Sequence, residues 1–178
     1  AATHDQRYDG KKVSVGHAFG LNLHTQGVQH LAVAEGEHEH DMSVMQRLKP
    51  KGLRQGVPKG KRVLVVYDRA GIDYAFWKRC RQEVAVYFLS RTKSNMVFEW
   101  ERDLEWDRGD TRNRGVQHDQ WVKSPEGHSL RLIEYEDPET GNKFQFLTNE
   151  PDLTPGVLAE LYRRRWERQR AMVKLAVI

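Results

Sequence analysis

Asp68 is the acidic residue of the sequence that is best placed to do chemistry. It follows residues 62–67, which contain the uninterrupted apolar run VLVV. Such a run is typical of a central strand that is buried on both faces, and ligands of α/β sheets bind where such strands end. A carboxylate at this position could therefore hold a ligand. The alternative is ordinary turn chemistry, in which the Asp side chain only stabilises its own turn.

A second candidate lies on a predicted C-terminal helix. Thr154-Pro155 is typical of a helix start, with Thr as N-cap and Pro as the first helical residue, and we expect this helix to run to near the C-terminus. Three- and four-residue spacing gives one face, formed by Leu158, Tyr162, Arg165, Gln169, Met172 and Ala176. A buried polar group costs about 1–3 kcal/mol unless it is partnered. The face of Arg165 and Gln169 should therefore meet acidic groups or border a wet cleft. The alternative is a rotated helix that packs through Leu158, Leu161 and Trp166 alone.

A third cluster, Glu37-His38-Glu39-His40-Asp41, has the residue types of a metal site. His38 and His40 could bind zinc from one side of a strand. No Cys pair or second His pair stands at ligand spacing, so a solvated turn is favoured. The sequence has no phosphate-binding glycine loop and no nucleophile elbow. Nucleotide hydrolysis and serine chemistry therefore lack support.

Composition indicates one globular domain of 178 residues with a net charge of +4. Seven basic residues and no acidic one occupy residues 47–62, and five arginines stand in residues 163–170. These runs favour a nucleic-acid partner, although a solvated face is the alternative. No apolar window reaches the roughly 18 residues of a membrane span, and no signal sequence starts the chain. The single cysteine, Cys80, indicates a reducing compartment, and we expect the cytoplasm.

The elements that must position Asp68 and Arg165 follow from periodicity. Strand patterns at residues 11–25 and 28–34 precede a short helix at 41–48. Strand 62–67, a helix capped by Asp73 and strand 84–89 form a β–α–β unit, which predicts an α/β fold with parallel central strands. Residues 96–150 contain two strand patterns, 129–135 and 142–147, and read as a mostly antiparallel β-rich insertion. We expect residues 1–95 to form the first part of a core that residues 151–178 complete.

Four segments together resemble the DDE transposases of bacterial insertion sequences. RVLVVYDRAGIDYAFW is similar to the strand that carries the second catalytic aspartate, and SRTKSN is similar to the R-x-K-x-N continuation after the next strand. LYRRRWERQRAMVKLAVI resembles the helix of the subgroup with a Y-x2-R-x3-E-x6-K signature, and HAFGLNLHT resembles the strand after the first catalytic strand. The resemblance implies an RNase H-like mixed sheet with flanking helices and a β-rich insertion before the last helix.

The resemblance also implies site residues. Asp68 would be a metal-binding catalytic carboxylate, and the signature helix would contact DNA through Tyr162, Arg164, Arg165, Arg168 and Lys174. The family uses two Mg²⁺ ions, which want anionic oxygen ligands, to cleave phosphodiesters and transfer strands at transposon ends. The partner would be DNA, a homodimer would be compatible with it, and neither a membrane nor a small-molecule substrate is implied.

The chain departs from the signature at two positions. Gln169 stands at the catalytic Glu position, and Ala176 stands at the Lys position. Neither Asp5 nor Asp9 follows an apolar strand, so we expect the first catalytic strand to be missing and the chain to be truncated or degenerate. A catalytically impaired transposase segment is therefore expected. The alternatives are a non-catalytic nucleic-acid-binding module on the same scaffold and an RNase H-like nuclease outside transposition.

Overall fold

The computed structural model describes residues 2–8, 11–22, 27–33, 41–69, 72–167 and 174–177. The strands are β1 (Ala2–Tyr8), β2 (Lys11–Leu21), β3 (Val28–Val33), β4 (Val63–Val66), β5 (Val86–Arg91), β6 (Glu99–Asp103), β7 (Val116–Lys123), β8 (Ser129–Glu136), β9 (Lys143–Thr148) and β10 (Lys174–Val177). The α-helices are α1 (Asp41–Arg47), α2 (Tyr74–Val84) and α3 (Pro155–Glu167), and short 3-10 helices cover Pro50–Arg54 and Thr111–Asn113.

A mixed sheet of seven strands, in the order β10-β4-β5-β9-β8-β7-β6, forms the centre of the described chain. β4 and β5 are parallel and are joined by α2, as the sequence predicts. The other pairs in this sheet are antiparallel. The α/β class with a parallel central pair is therefore confirmed.

The β–α–β unit follows from local chemistry. All four residues of β4 are buried, which explains its apolar run. The Asp73 carboxylate caps α2 by accepting a hydrogen bond from the Phe76 backbone N–H, and the left-handed residue Ala85, at φ 51°, ends the helix. The chain can then enter β5 parallel to β4.

Helices cover both faces of the sheet. Val63 and Val65 of β4 belong to the core that Phe76 and Trp77 of α2 share. Leu64 and Val66 belong to a second core with Leu158 and Tyr162 of α3. This alternation follows from the two-residue period of a strand, and it places α3 on the face opposite α2.

The β-rich insertion continues the same sheet. β9 pairs with β5, with Leu89 opposite Thr148, and β8, β7 and β6 follow by antiparallel pairing. The predicted strands at 129–135 and 142–147 correspond to β8 and β9. A β5 strand with an unpaired side would expose main-chain N–H and C=O groups, which β9 satisfies.

The expected length of the C-terminal helix is wrong. α3 ends at Glu167, and Lys174–Val177 form β10, which pairs antiparallel with β4. β4 is buried on both faces, so its free side needs a hydrogen-bonding partner. The short, largely apolar segment KLAV supplies one. Lys174 therefore lies in a strand and not on the helix.

The second sheet has the order β1-β2-β3 and is antiparallel. β2 and β3 match the strands predicted from periodicity, whereas β1 has no clear apolar pattern and was not predicted. The predicted helix at 41–48 corresponds to α1. The cluster of residues 37–41 falls mostly outside the described residues. No helix among the described residues is long and apolar enough to span a membrane.

Candidate functional site

Asp68 lies directly after β4, at the carboxyl end of the parallel pair. The Tyr67 N–H donates to the Leu89 carbonyl at 2.8 Å, which extends the β4–β5 pairing up to this point. The buried Ser90 hydroxyl donates to the Asp68 carbonyl oxygen at 3.1 Å. The Asp68 carboxylate accepts from the Arg69 N–H at 2.6 Å, and its side chain is 52% exposed. Part of the turn chemistry is thus present, and the carboxylate still reaches solvent.

Arg165 approaches Asp68 from the last turn of α3. Its Nη2 lies 3.9 Å from Asp68 Oδ2, and its side chain is 5% exposed. Leu158 and Tyr162 are buried on the same face of the helix. The predicted polar interruption of this face is therefore real, and the rotated helix is not observed. A buried guanidinium needs anionic or hydrogen-bonding partners, and Asp68 supplies one of them.

Tyr162 packs beneath the guanidinium of Arg165. Its ring centroid lies 5.8 Å from the Arg165 Cζ and 5.0 Å from the Phe146 ring centroid. Only 2% of Tyr162 is exposed. The side chain is therefore placed to fix the position of Arg165.

The neighbouring arginines of α3 point to solvent. Arg163 Nε and Arg164 Nε bind the Glu160 carboxylate at 2.7 and 2.8 Å. These hydrogen bonds, the one from Arg163 first, lower the pKa of Glu160 against the opposing effect of burial. Both guanidinium groups stay exposed, so they present positive charge beside the buried Arg165.

Two other predicted residues cannot be compared with Asp68. Arg168 and Gln169 lie within residues 168–173, which are outside the described residues. Lys174 lies in β10, next to Val66 of β4 in the strand register. Of the predicted site, the structure therefore brings together Asp68, Tyr162 and Arg165, with Arg164 beside them.

A cavity of about 280 Å³ opens beside Tyr162 on the α3 face of the sheet. The aromatic rings of Tyr135, Phe144, Phe146 and Tyr162 line it, and Arg91 and Arg163 stand among its other lining residues. The rings of Phe144 and Phe146 are stacked, with their centroids 6.0 Å apart. The Arg91 Cζ lies 4.8 Å from the Phe144 ring centroid. The lining also includes Asp137 and Glu160, so the two guanidinium groups are partly offset. The planar aromatic walls suit a flat aromatic ligand.

The start of α3 is anchored by a buried carboxylate. Glu150 is fully buried after β9, and its Oε2 accepts from the backbone N–H groups of Asp152 and Leu153 at 3.0 and 2.7 Å. Arg62 Nη1 lies 3.0 Å from Glu150 Oε1 and 2.5 Å from Asp152 Oδ2. The hydrogen bond to Asp152 is the largest cause that raises the pKa of Arg62. The turn before α3 is thereby fixed to the beginning of β4.

A buried ion pair holds the same turn from the insertion. Arg131 Nε and Nη2 bind the two carboxylate oxygens of Asp119 at 2.8 and 2.6 Å, and both side chains are almost fully buried. Arg131 Nη1 also donates to the Leu153 carbonyl at 2.7 Å. Since this pair joins β7, β8 and the turn, the insertion determines where α3 begins.

Asn113 caps α3 from a distant position. Its Oδ1 accepts from the Gly156 N–H at 3.0 Å, and its Nδ2 donates to the Asp107 carbonyl at 2.9 Å. Pro155 is the first residue of α3, as predicted. The predicted side-chain cap is absent, because the buried Thr154 hydroxyl makes no hydrogen bond among the described residues.

Ser90, Asn113, Arg131 and Glu150 support the site and were not predicted. A weak signal exists for Glu150, which directly follows the apolar β9 segment and precedes the helix-starting Thr154-Pro155. Its partners come from distant segments, and single-sequence spacing does not show such pairings.

The described residues do not fit a two-metal centre. No group of three or more His, Cys, Asp or Glu side chains converges anywhere in the described parts of the chain. The charge of Asp68 is offset by Arg165 at 3.9 Å. A divalent cation wants several anionic oxygens, and this pair offers one carboxylate beside a positive guanidinium.

Comparison with known proteins agrees with this architecture. A family model described as the transposase DDE domain matches residues 2–167. The chain belongs to the transposase DDE domain family, and its α/β mixed sheet is the RNase H-like scaffold expected of it. No curated protein and no solved structure gave a significant match to the chain.

Proposed function

We propose that this chain is a transposase catalytic-domain segment that binds the DNA of transposon ends beside Asp68 and Arg165. The observation that carries the proposal is the 3.9 Å pair between Asp68, at the carboxyl end of β4, and Arg165 of α3. Arg165, Arg164, Arg168 and Lys174 contact DNA phosphates, and Tyr162 positions Arg165. The residues match the Y-x2-R start of the subgroup signature, which supports assignment to that subgroup.

The aromatic cavity supports DNA as the ligand. Unstacked bases bind to aromatic rings with about 1–3 kcal/mol per base. Phe144 and Tyr162 offer such rings, and Arg91 and Arg163 line the same cavity. A base therefore enters this cavity while its phosphate meets the exposed arginines of α3.

Cleavage by this chain is weak or absent. The family reaction uses Mg²⁺ held by several carboxylates, whereas Gln169 stands at the Glu position and brings no charge. Asp68 alone, offset by Arg165, retains little net charge for a divalent cation. We therefore expect Mg²⁺ binding to be weak.

A plasmid-nicking assay tests this function. With Mg²⁺ or Mn²⁺, the wild-type chain, Asp68→Asn and Gln169→Glu should all leave supercoiled DNA intact. Restoring one carboxylate at position 169 is not expected to rescue cleavage. Binding of duplex DNA should persist and weaken steeply with salt. If the wild-type chain nicks DNA in the presence of Mg²⁺ and Asp68→Asn does not, the proposal that cleavage is impaired is wrong.

The alternatives are a non-catalytic nucleic-acid-binding module and an RNase H-like nuclease. Gln169, which replaces the catalytic Glu of the signature, favours the non-catalytic module. Titration of the wild-type chain and of Asp68→Asn with Mn²⁺ distinguishes the alternatives. Equal weak binding by both proteins favours the module, and tight binding lost in Asp68→Asn favours a nuclease or active transposase. We propose a cytoplasmic location, since a chain with a single cysteine forms no internal disulfide and suits a reducing compartment. A homodimer is compatible with the proposal.

A further inference from the structure

We propose that a second DNA-binding surface lies at the end of the sheet opposite Asp68. This surface, the basal patch, consists of Lys51, Lys59, Lys61 and Arg81, which are all exposed. It binds the phosphate backbone of duplex DNA. The inference rests on the proposed function only in taking DNA as the polyanion.

Arg54 holds the parts of the basal patch together. Its Nη1 donates to the Val84 carbonyl at the end of α2 at 2.8 Å, and its Nη2 donates to the Lys61 carbonyl at 2.6 Å. Leu53 beside it is buried in the core that α2 covers. The segment before β4 is therefore fixed against the last turns of α2, and Arg54 is not available for a ligand.

The charges of the basal patch are largely uncompensated. Among the described residues, no ion pair or side-chain hydrogen bond engages the ammonium groups of its three lysines. The Arg81 Cζ lies 5.8 Å from the centroid of the Tyr87 ring, and Glu83 is the acid beside it on α2. A cluster of unneutralised cations attracts a polyanion and releases its counterions on binding.

The basal patch is too far from Asp68 to share its phosphates. Lys61 and Asp68 stand at opposite ends of the extended β4 segment, and seven residues of strand span roughly 20 Å. This distance equals about 6 base pairs of duplex at 3.4 Å each. α2 and α3 also lie on opposite faces of the sheet. The basal patch therefore holds a separate DNA segment, either a flank of the same duplex or a second duplex.

The salt dependence of binding tests the basal patch. The measured quantity is the slope of log affinity against log salt concentration for a duplex of about 40 base pairs. In Lys59→Gln/Lys61→Gln this slope should be shallower than in wild type by about 1.8, because two phosphate contacts are lost. The control Arg102→Gln/Lys123→Gln also removes two positive charges. These residues lie on β6 and β7, at the edge of the sheet away from β4, and the control should keep the wild-type slope. Thermal melts verify that both variants are folded. An unchanged slope in the patch variant, or an equal loss in the control, overturns the proposal.

Cross-linking gives an independent measurement. Cys80 is fully buried, and burial raises its pKa to about 12, so it stays unreactive. A photo-cross-linker attached to Lys59→Cys should therefore report from the basal patch alone and capture duplex DNA, whereas Arg102→Cys should not. If the cross-linked chain still binds a second, differently labelled duplex, the basal patch holds a second duplex, and if it binds no further DNA, the patch holds a flank of the same duplex. Absence of cross-linking at Lys59→Cys overturns the proposal.

Failure of this inference is distinguishable from failure of the proposed function. If Arg164→Gln and Arg165→Gln weaken DNA binding but the patch variant does not, the basal patch alone is wrong. If the patch variant weakens binding but the α3 variants do not, the Asp68 site is wrong and the basal patch stands. Salt-independent binding by the wild-type chain contradicts both.

Discussion

The Asp68 carboxylate and the Arg165 guanidinium meet at 3.9 Å, so the end of β4 and the last turn of α3 are joined by one charge pair. The two partners differ in environment, because Arg165 is buried and Asp68 is half exposed. Loss of the carboxylate leaves a buried cation with fewer partners, whereas loss of the guanidinium leaves a carboxylate that water can solvate. This asymmetry determines the effect of substitutions on each side.

We expect Asp68→Asn to lower the free energy of unfolding by about 1–3 kcal/mol, because the buried Arg165 guanidinium loses its anionic partner. Arg165→Gln should lower it by about 1 kcal/mol or less through loss of this charge pair, because water solvates the half-exposed carboxylate that remains. Urea denaturation of both variants and of the double variant gives the coupling energy. Glu83→Gln, at an exposed position, is the control and should stay within about 0.5 kcal/mol. Additive effects would contradict a direct interaction.

Asp119→Asn should destabilise the protein more than either substitution in the Asp68–Arg165 pair. It leaves the buried Arg131 guanidinium without its anionic partner, and breaking a buried pair in this way costs about 3–5 kcal/mol. Replacing both residues, as Asp119→Leu/Arg131→Met, should recover part of this loss, because no isolated charge remains. Urea denaturation measures both. The pair Asp110–Arg112 offers the control, because its guanidinium is exposed and solvated, so Asp110→Asn should have a much smaller effect. Equal effects at the two pairs would rule out burial of the guanidinium as the cause.

Gly156→Ala tests the packing at the start of α3. Helix propensity alone predicts stabilisation of about 1 kcal/mol. A Cβ at Gly156, however, would collide with the Arg112 carbonyl oxygen and lie 2.8 Å from the Asn113 Cα. We therefore expect destabilisation of about 1–3 kcal/mol, measured by thermal or urea unfolding. Gly52→Ala, at a position with open space around the added methyl, is the control, and a more stable Gly156→Ala protein would contradict this packing.

Stability should fall in acid through Glu160. Its pKa lies below its ordinary value of 4.5, mainly because Arg163 donates to it. The stabilisation is therefore present above about pH 4.5 and is lost as the pH falls through the lowered pKa of the folded state. Melting temperatures measured between about pH 6 and pH 3 should decrease less in Glu160→Gln than in wild type. Parallel curves would show that Glu160 does not contribute.

The sequence predicts most of the central β–α–β unit and the position of Asp68. The apolar run of β4, the Asp73 cap and the alternating pattern of β8 are local signals, and local signals depend on neighbouring residues only. The polar interruption of α3 by Arg165 predicts either an acidic partner or a wet cleft, and the structure shows Asp68 as an acidic partner.

The supporting contacts could not be predicted in the same way. Arg131 pairs with Asp119 across two strands, and Asn113 caps a helix that begins far along the chain. β10 was predicted as helix, because helical spacing continues through residue 176 and only the open side of β4 favours a strand. Each miss depends on tertiary pairing that overrides local propensity.

The anchoring of α3 at its first turn determines which amino-acid substitutions the helix can accept. Glu150, Arg131 and Asn113 immobilise the turn before the helix, while Arg163 and Arg164 project from its far end, about 13 Å away by helical rise. Substitutions at the solvent-facing end can alter affinity without loosening the scaffold, and those at the anchored end disturb everything the helix carries. Recognition by the exposed Arg163 and Arg164 can thus be changed separately from the anchored turn, whereas the buried Arg165 between them and β4 contributes to both stability and the site.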